Sequence, residues 1–370
     1  MALKHIEKGK PWLQYGEECH PKQRIFLSID AIGSTKLKTS LAARGGTAGS
    51  WADAFTAFLP EVEVMYHKMF SDVVKKHCRG CSVKRCLCIT SRTKNNKSTL
   101  SQDVNAGKSA EVWKYAGDEV ILIHVLRCKK FQATLHVLAL AKTIEYFNEE
   151  FSKKNFDLQF KGTAWVSGFP VTNMEIALKV SENQTVKDFL GPSIDLGFRL
   201  TDFASEERLV ISASLAYLIV MAPLFPGKIE YRGIKESSIP LCSGGLVNVK
   251  GVITGKHPLI WLPLKNNEIS KLCQVDLTQL KTYLETEYFL DKIPPFIFDS
   301  NDLDPIHIPN YDEYVKEYEN AAREQKNILY SVFYIDQSTS APPKKNKRIP
   351  LTKKQELDNT VTKVTKVTKV

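Results

Sequence analysis

Nowhere in the 370 residues is there an apolar run long enough to cross a bilayer, and the longest, "YLIVMAPLF", covers only residues 217 to 225. A helical span needs about 20 such residues. No positively charged leader followed by an apolar stretch opens the chain, so a cytoplasmic protein with no membrane partner is expected. A basic excess over the body of the chain is missing as well. The formal charge is +10, but residues 344 to 370 hold nine Lys and Arg against two acids, which leaves +3 for the rest. Nucleic-acid domains usually spread their basic residues over one face, and no nucleic-acid partner is expected here. Disulfides are not expected either, because eight cysteines in a cytoplasmic protein stay reduced.

What is present is an ordinary globular composition. With 43% apolar and 10% aromatic residues the chain can bury a sizeable core, and its length suggests two domains. The stretch 341–370, with "APPKKNKRIP" and the repeat "NTVTKVTKVTKV", reads as a disordered basic tail. Four cysteines crowd into "HCRGCSVKRCLC" as Cys78, Cys81, Cys86 and Cys88. Their Cys-x-x-Cys half is similar to a zinc knuckle, but the four residues between the pairs leave little backbone to wrap a tetrahedral ion. A cysteine-rich insertion is the simpler reading.

Three stretches carry the chemistry. The first, "RIFLSIDAIGSTKLK" (24–38), ends an apolar strand with Asp30, directly before a small Gly33-Ser34-Thr35 turn. A carboxylate at that position needs a partner or it costs several kcal/mol of desolvation, although an Asp ending a strand often only turns the chain. The second, "VWKYAGDEVILIHVL" (112–126), has the pattern of a β-hairpin around Ala116-Gly117, with Asp118 and Glu119 in its turn. Two acids at the same end of adjacent strands repel unless cations lie between them. Hard oxygen ligands of this kind suit magnesium or manganese together with substrate phosphates. The third, "DFLGPSIDLGFRLTDFA" (188–204), predicts a helix after Gly191-Pro192, with Asp195 and Arg199 four apart on one face.

Taken together, the three stretches resemble the class III nucleotidyl cyclases over roughly residues 20 to 215. Asp30-Ala31-Ile32-Gly33-Ser34-Thr35 matches the family's first motif, and Lys114-Tyr115-Ala116-Gly117-Asp118 its Lys-x-x-Gly-Asp motif. Asp188, Asp195 and Arg199 have the spacing of its Asp, Asn and Arg. The resemblance implies an α+β fold: an antiparallel-rich sheet flanked by helices, built on a ferredoxin-like βαββαβ core, and followed by a smaller mixed α/β domain. It implies that Asp30 and Asp118, with the Ala31 carbonyl, hold two divalent cations, Mn2+ or Mg2+. It also implies that Arg199 stabilises charge on the α-phosphate, that Lys114 and Asp188 read the base, and that Gly33, Ser34 and Thr35 admit the triphosphate. An antiparallel homodimer with shared active sites follows from the same resemblance. Asp195 departs from the family's ribose-positioning Asn, and residues 78–110 form a long insertion.

"SIDAIGST" and the Trp-Lys-Tyr-x-Gly-Asp-Glu form are most similar to the pyrimidine cyclases of bacterial Pycsar anti-phage defence, which make cyclic UMP or cyclic CMP. That likeness implies a product read by a separate cyclic-nucleotide effector. Residues 229–264 read as short strands around Gly turns, and their Val-Lys-Gly-Val run resembles the AGS-C sensor module of that branch. The expected domains are therefore 1–215, 216–340 and the tail 341–370. A Lys and Asp pair fits the edge of cytosine or adenine, yet Lys114 can equally donate to the O4 of uracil. UTP leads with CTP close behind. Trp51 and Tyr115 are bulky candidates for the wall that rejects purines, and helical spacing is expected over 274–292 and 310–332. An adenylate cyclase and a non-catalytic nucleotide-binding sensor remain as alternatives.

Overall fold

The computed structural model describes residues 22–43, 49–77, 109–126, 132–153, 158–169, 173–181, 184–221, 229–231, 234–236, 239–251, 256–265 and 271–288. Cys78, Cys81, Cys86 and Cys88, the expected helix over 310–332 and the tail 341–370 lie outside the described residues. The fold is α+β, with a mostly antiparallel seven-stranded sheet flanked by helices.

Its first half runs β1 (Lys22–Ile32), α1 (Ser34–Ala43), α2 (Gly49–His77), β2 (Glu111–Ala116), β3 (Glu119–Leu126), α3 (Gln132–Lys153) and β4 (Gln159–Phe169). These four strands lie in the order β4-β1-β3-β2, and each neighbouring pair is antiparallel. With helices between β1 and β2 and between β3 and β4, this is the ferredoxin-like βαββαβ arrangement.

Alternation along β1 sets the two faces of the sheet. Ile25, Leu27, Ile29 and Ala31 point into the main core, with Phe58, Val62 and Tyr66 of α2 and Leu140, Ile144 and Phe147 of α3. Apolar residues recur along α3 at Ala133, Val137, Leu140, Ala141 and Ile144, and all are buried, so the stripe is what holds this helix on the sheet. The opposite face carries Arg24, Phe26, Ser28 and Asp30. There Phe26 packs with Ile121, Ile123, Trp165, Phe169, Phe189 and Ile194 in a second, smaller cluster.

After β4 come a separate two-stranded hairpin, β5 (Met174–Ser181) and β6 (Gln184–Leu190), and then α4 (Pro192–Leu200). Pro192 opens α4 as the sequence predicts, where its missing N–H costs nothing. A 3-10 turn (Thr201–Phe203) leads to β7 (Arg208–Ile211), which lies parallel to β4, and to α5 (Ala213–Met221). The short pair β8 (Ile229–Tyr231) and β9 (Ile234–Glu236) precedes β10 (Cys242–Asn248) and β11 (Lys256–Pro263).

β11 pairs with β7 and β10 with β11, so the seven-stranded sheet runs on across residue 215. β7, before residue 215, and β10 and β11, after it, are strands of one sheet. Val249, Lys250 and Gly251 of the Val-Lys-Gly-Val run follow β10, with Gly251 at φ 78, and Val252 lies outside the described residues. Helix α6 (Leu277–Tyr283), continued by a π-turn (Leu284–Tyr288), packs Leu280 and Leu284 into the main core. Among the described residues no helix is long and apolar enough to cross a membrane.

Candidate functional site

Asp30 stands near the end of β1, across from Glu119 on β3 and Lys161 on β4. Asp118 sits in the two-residue turn before Glu119, where Gly117 takes φ 71, a value that L side chains rarely adopt. Strand pairing thus brings Asp30, Asp118 and Glu119 to one end of the sheet. Glu119 begins β3 rather than sharing the turn, and its carboxylate accepts a hydrogen bond from the Ser28 hydroxyl.

The electrostatics of these acids are those of crowded, half-buried carboxylates. Burial pushes the carboxyl of Asp30 above its ordinary value; Lys161 opposes that and the Asp118 charge adds to it. Glu119 is pushed up too, by burial first, while the Ser28 hydroxyl holds it down and Asp30 and Asp118 push it further. Negative charge at this edge is therefore short of compensation. Among the described residues a cation is supplied by Lys161, whose Nζ is 3.3 Å from Asp30 Oδ2. It escaped the sequence reading. A lone Lys inside the apolar run "FKGTAWVSGF" is a signal of the same kind as Asp30, a strand charge that needs a partner.

The backbone beside Asp30 turns directly into a helix start. Gly33 turns the chain at φ 82 from β1 into α1, and Ser34 and Thr35 form the first turn of that ten-residue helix. The N–H groups of a helix start have no intrahelical partners and favour anions. Ala31 is buried, with its side chain on the core face.

A second constellation lies further along the same sheet face. Lys114 on β2 and Asp188 on β6 form an ion pair of 3.0 Å. The Lys114 ammonium lies 4.1 Å from the centroid of the Trp113 ring and 6.0 Å from that of Phe198. Trp113 and Lys114 are sequence neighbours, yet both lie on the side of the smaller cluster. A bulge in β2 between Val112 and Lys114 accounts for this, since one extra residue resets the alternation.

The rings beside the pair are thus those of Trp113 and Phe198. Tyr115 is half exposed, and among the described residues it is not one of those packed against that cluster. Trp51 lies on α2, and its side chain is not among those described. On α4, Asp195 and Arg199 are both exposed, while Ile194, Gly197 and Leu200 face inward. Gly197 seats that helix, because a Cβ there would come within 2.6 Å of Trp165 Cγ.

The solved structures include similar folds. One is the adenylyl cyclase CyaB from P. aeruginosa, at 13% identity over 67% of this chain and 96% of that one, with a TM-score of 0.40. The guanylyl cyclase Cya2 is similar at 13% identity over 67% and 94%, with a TM-score of 0.36. A third is the guanylate cyclase domain of RhGC from Catenaria anguillulae in complex with GTP, at 11% identity over 65% and 95%, with a TM-score of 0.38. The chain matches no family model and no curated protein. At these identities and scores the likenesses assign no activity, and the functional reading rests on the geometry.

The donor set can be tested against the divalent ions that the motifs imply. Asp30, Asp118 and the Ala31 carbonyl are hard oxygens, and strand pairing sets the two carboxylates at one end of the sheet. That fits magnesium or manganese. Among the described residues no group of three or more His, Cys, Asp and Glu is gathered closely enough to hold a metal unaided. Phosphate oxygens of a substrate would complete such a shell.

Proposed function

We propose that this chain is a nucleotidyl cyclase that converts a pyrimidine nucleoside triphosphate, UTP ahead of CTP, into the 3',5'-cyclic nucleotide and pyrophosphate. The observation that carries the reading is the convergence of Asp30 and Asp118 at one sheet end, with α1 starting beside them and a Lys114–Asp188 pair on the same face. Asp30, Asp118 and the Ala31 carbonyl would hold two divalent cations, Mn2+ or Mg2+. Such ions lower the pKa of the ribose 3'-hydroxyl and neutralise phosphate charge.

The chain's own residues do the rest. The Gly33 turn and the free N–H groups of Ser34 and Thr35 receive the triphosphate. Arg199 supplies a guanidinium to the charge that develops on the α-phosphate as the 3'-oxygen attacks in line. Lys114 and Asp188 hydrogen-bond the base edge, and Trp113 and Phe198 narrow the space beside them. Asp195 faces the ribose as an acceptor. Exposure of both Asp195 and Arg199 suits a site completed by a second copy, with metal acids from one protomer and the arginine from the other. In the anti-phage setting the product is a second messenger read by a separate cyclic-nucleotide effector.

A second reading, an adenylate cyclase, is favoured by one observation: a paired donor and acceptor match the ring nitrogen and exocyclic amine of adenine. Incubation with each of the four NTPs and Mn2+ or Mg2+, followed by chromatography of the products, separates these readings. Cyclic UMP or cyclic CMP as the dominant product supports the pyrimidine reading. Dominant cyclic AMP overturns it in favour of the second, and product from none of the four leaves a nucleotide-binding sensor.

A further inference from the structure

Lys161 has no part in the mechanism above, yet it is built into the centre of the site. It faces Asp30 across the β1–β4 ladder, and its Nζ is 3.3 Å from Asp30 Oδ2 and 3.1 Å from the Thr201 carbonyl. The two side chains are 19% and 21% exposed, so this is not a solvated pair that drifts in and out of contact. Thr201 caps α4, and its own N–H is bonded to the Arg199 carbonyl. The last carbonyls of a helix carry partial negative charge. The ammonium is therefore held from two sides, by the carboxylate of Asp30 and by the end of the helix that carries Arg199.

From this geometry we infer that Lys161 is a resident cation of the site: it competes with the divalent ion for Asp30 and ties metal loading to α4. The inference rests on the metal-dependent reading above. An ammonium and a divalent ion repel when they share one carboxylate in a half-buried place, because screening by water is weak there. Metal binding at Asp30 must push the ammonium back toward Thr201. The wild-type site consequently takes its metal more weakly than the same site without that charge. Release of Asp30 also leaves Lys161 with the α4 carbonyl as its remaining acceptor among those described, so a filled metal site and the position of the Arg199 segment are coupled.

The test is direct Mn2+ binding to the full chain without nucleotide, read from the electron paramagnetic resonance of free Mn2+. Lys161→Gln and Lys161→Met, which remove the like charge beside Asp30, are expected to lower the Mn2+ Kd about tenfold, and Lys161→Arg, which keeps the charge, to stay near the wild type. Adding Asp30→Ala to Lys161→Gln should erase the gain. Folded Lys161→Gln and Lys161→Met proteins that bind Mn2+ no more tightly than the wild type, or no Mn2+ binding by any of the proteins, would overturn the inference.

Should both neutral variants fail to fold, the wild type carries the test. The lysine Cε signal that Lys161→Arg removes should shift when Mg2+ is titrated, and a signal that does not move overturns the inference. Cyclic product with an unchanged Mn2+ Kd in Lys161→Gln sinks this inference alone. Tightened Mn2+ binding without product from any NTP sinks the cyclase reading alone.

Discussion

Replacing Gly197 by alanine tests the architecture and the mechanism together. In an exposed helix interior that change would stabilise, because alanine is favoured over glycine by about 1 kcal/mol. On α4 the sign should reverse. An ideal Cβ at Gly197 lies within 2.6 Å of Trp165 Cγ and closer still to Cδ2 and Cε2. The indole has nowhere to go: it is fully buried, stacked on Phe26 with 5.3 Å between centroids and 6° between planes, and tilted against Phe198 at 5.7 Å. Carbon atoms pack at about 3.5–4.0 Å, so α4 must lift by at least about 1 Å.

Overpacking of this kind costs about 1–3 kcal/mol, which outweighs the gain in propensity and leaves a net loss of up to about 2 kcal/mol. The same lift moves Asp195 and Arg199, and a 1 Å misplacement of a positioned group costs about 100-fold in rate. Denaturant unfolding would report the first effect, and initial rates of cyclic nucleotide formation the second. A Gly197→Ala protein with an unfolding midpoint at or above the wild type and an undiminished rate would refute the seating of α4 on Trp165.

At the Lys114–Asp188 pair, Lys114→Gln should lower kcat/KM by about 10- to 100-fold through loss of a charged hydrogen bond. Asp188→Asn should change the UTP-to-CTP ratio, and steady-state kinetics with each substrate would detect either effect. Glu119→Gln should change how stability depends on pH. Burial raises the carboxyl of Glu119 above its ordinary 4.5, so the stability that it contributes is full below that value and is lost as pH rises through its native titration. The difference in Tm between wild type and Glu119→Gln should therefore grow in the variant's favour between pH 4.5 and neutrality. A difference that stays flat over that window contradicts the assignment. Asp30→Ala and Arg199→Ala chains, each inactive alone, should recover part of the activity when mixed, because shared sites pair one intact acid set with one intact arginine. No recovery argues for sites within single protomers.

Much of this was legible in the sequence because it is local. An apolar run ending in Asp30, a Gly-Asp turn between two β-rich runs and a Gly-Pro before an amphipathic stretch each fix their own geometry, and β1, the β2–β3 hairpin and α4 form where those signals stand. The order β4-β1-β3-β2 then brings Asp30 beside Asp118.

What the chain could not announce depends on pairings between distant residues. Lys161 meets Asp30 only because β4 pairs with β1 in one register, and a one-residue slip would turn it to the other face. Trp113 and Phe198, rather than Tyr115, flank Lys114 because a bulge resets β2 and α4 crosses the same face. The strands after residue 215 carry the pattern of strands anywhere, and nothing local says which edge they join. Sequence alone determined which residues are proposed to hold metal, phosphate and base, since charge and turn chemistry are properties of short stretches. Tertiary structure decided which charges share a site, since that is settled by which strand edges find one another.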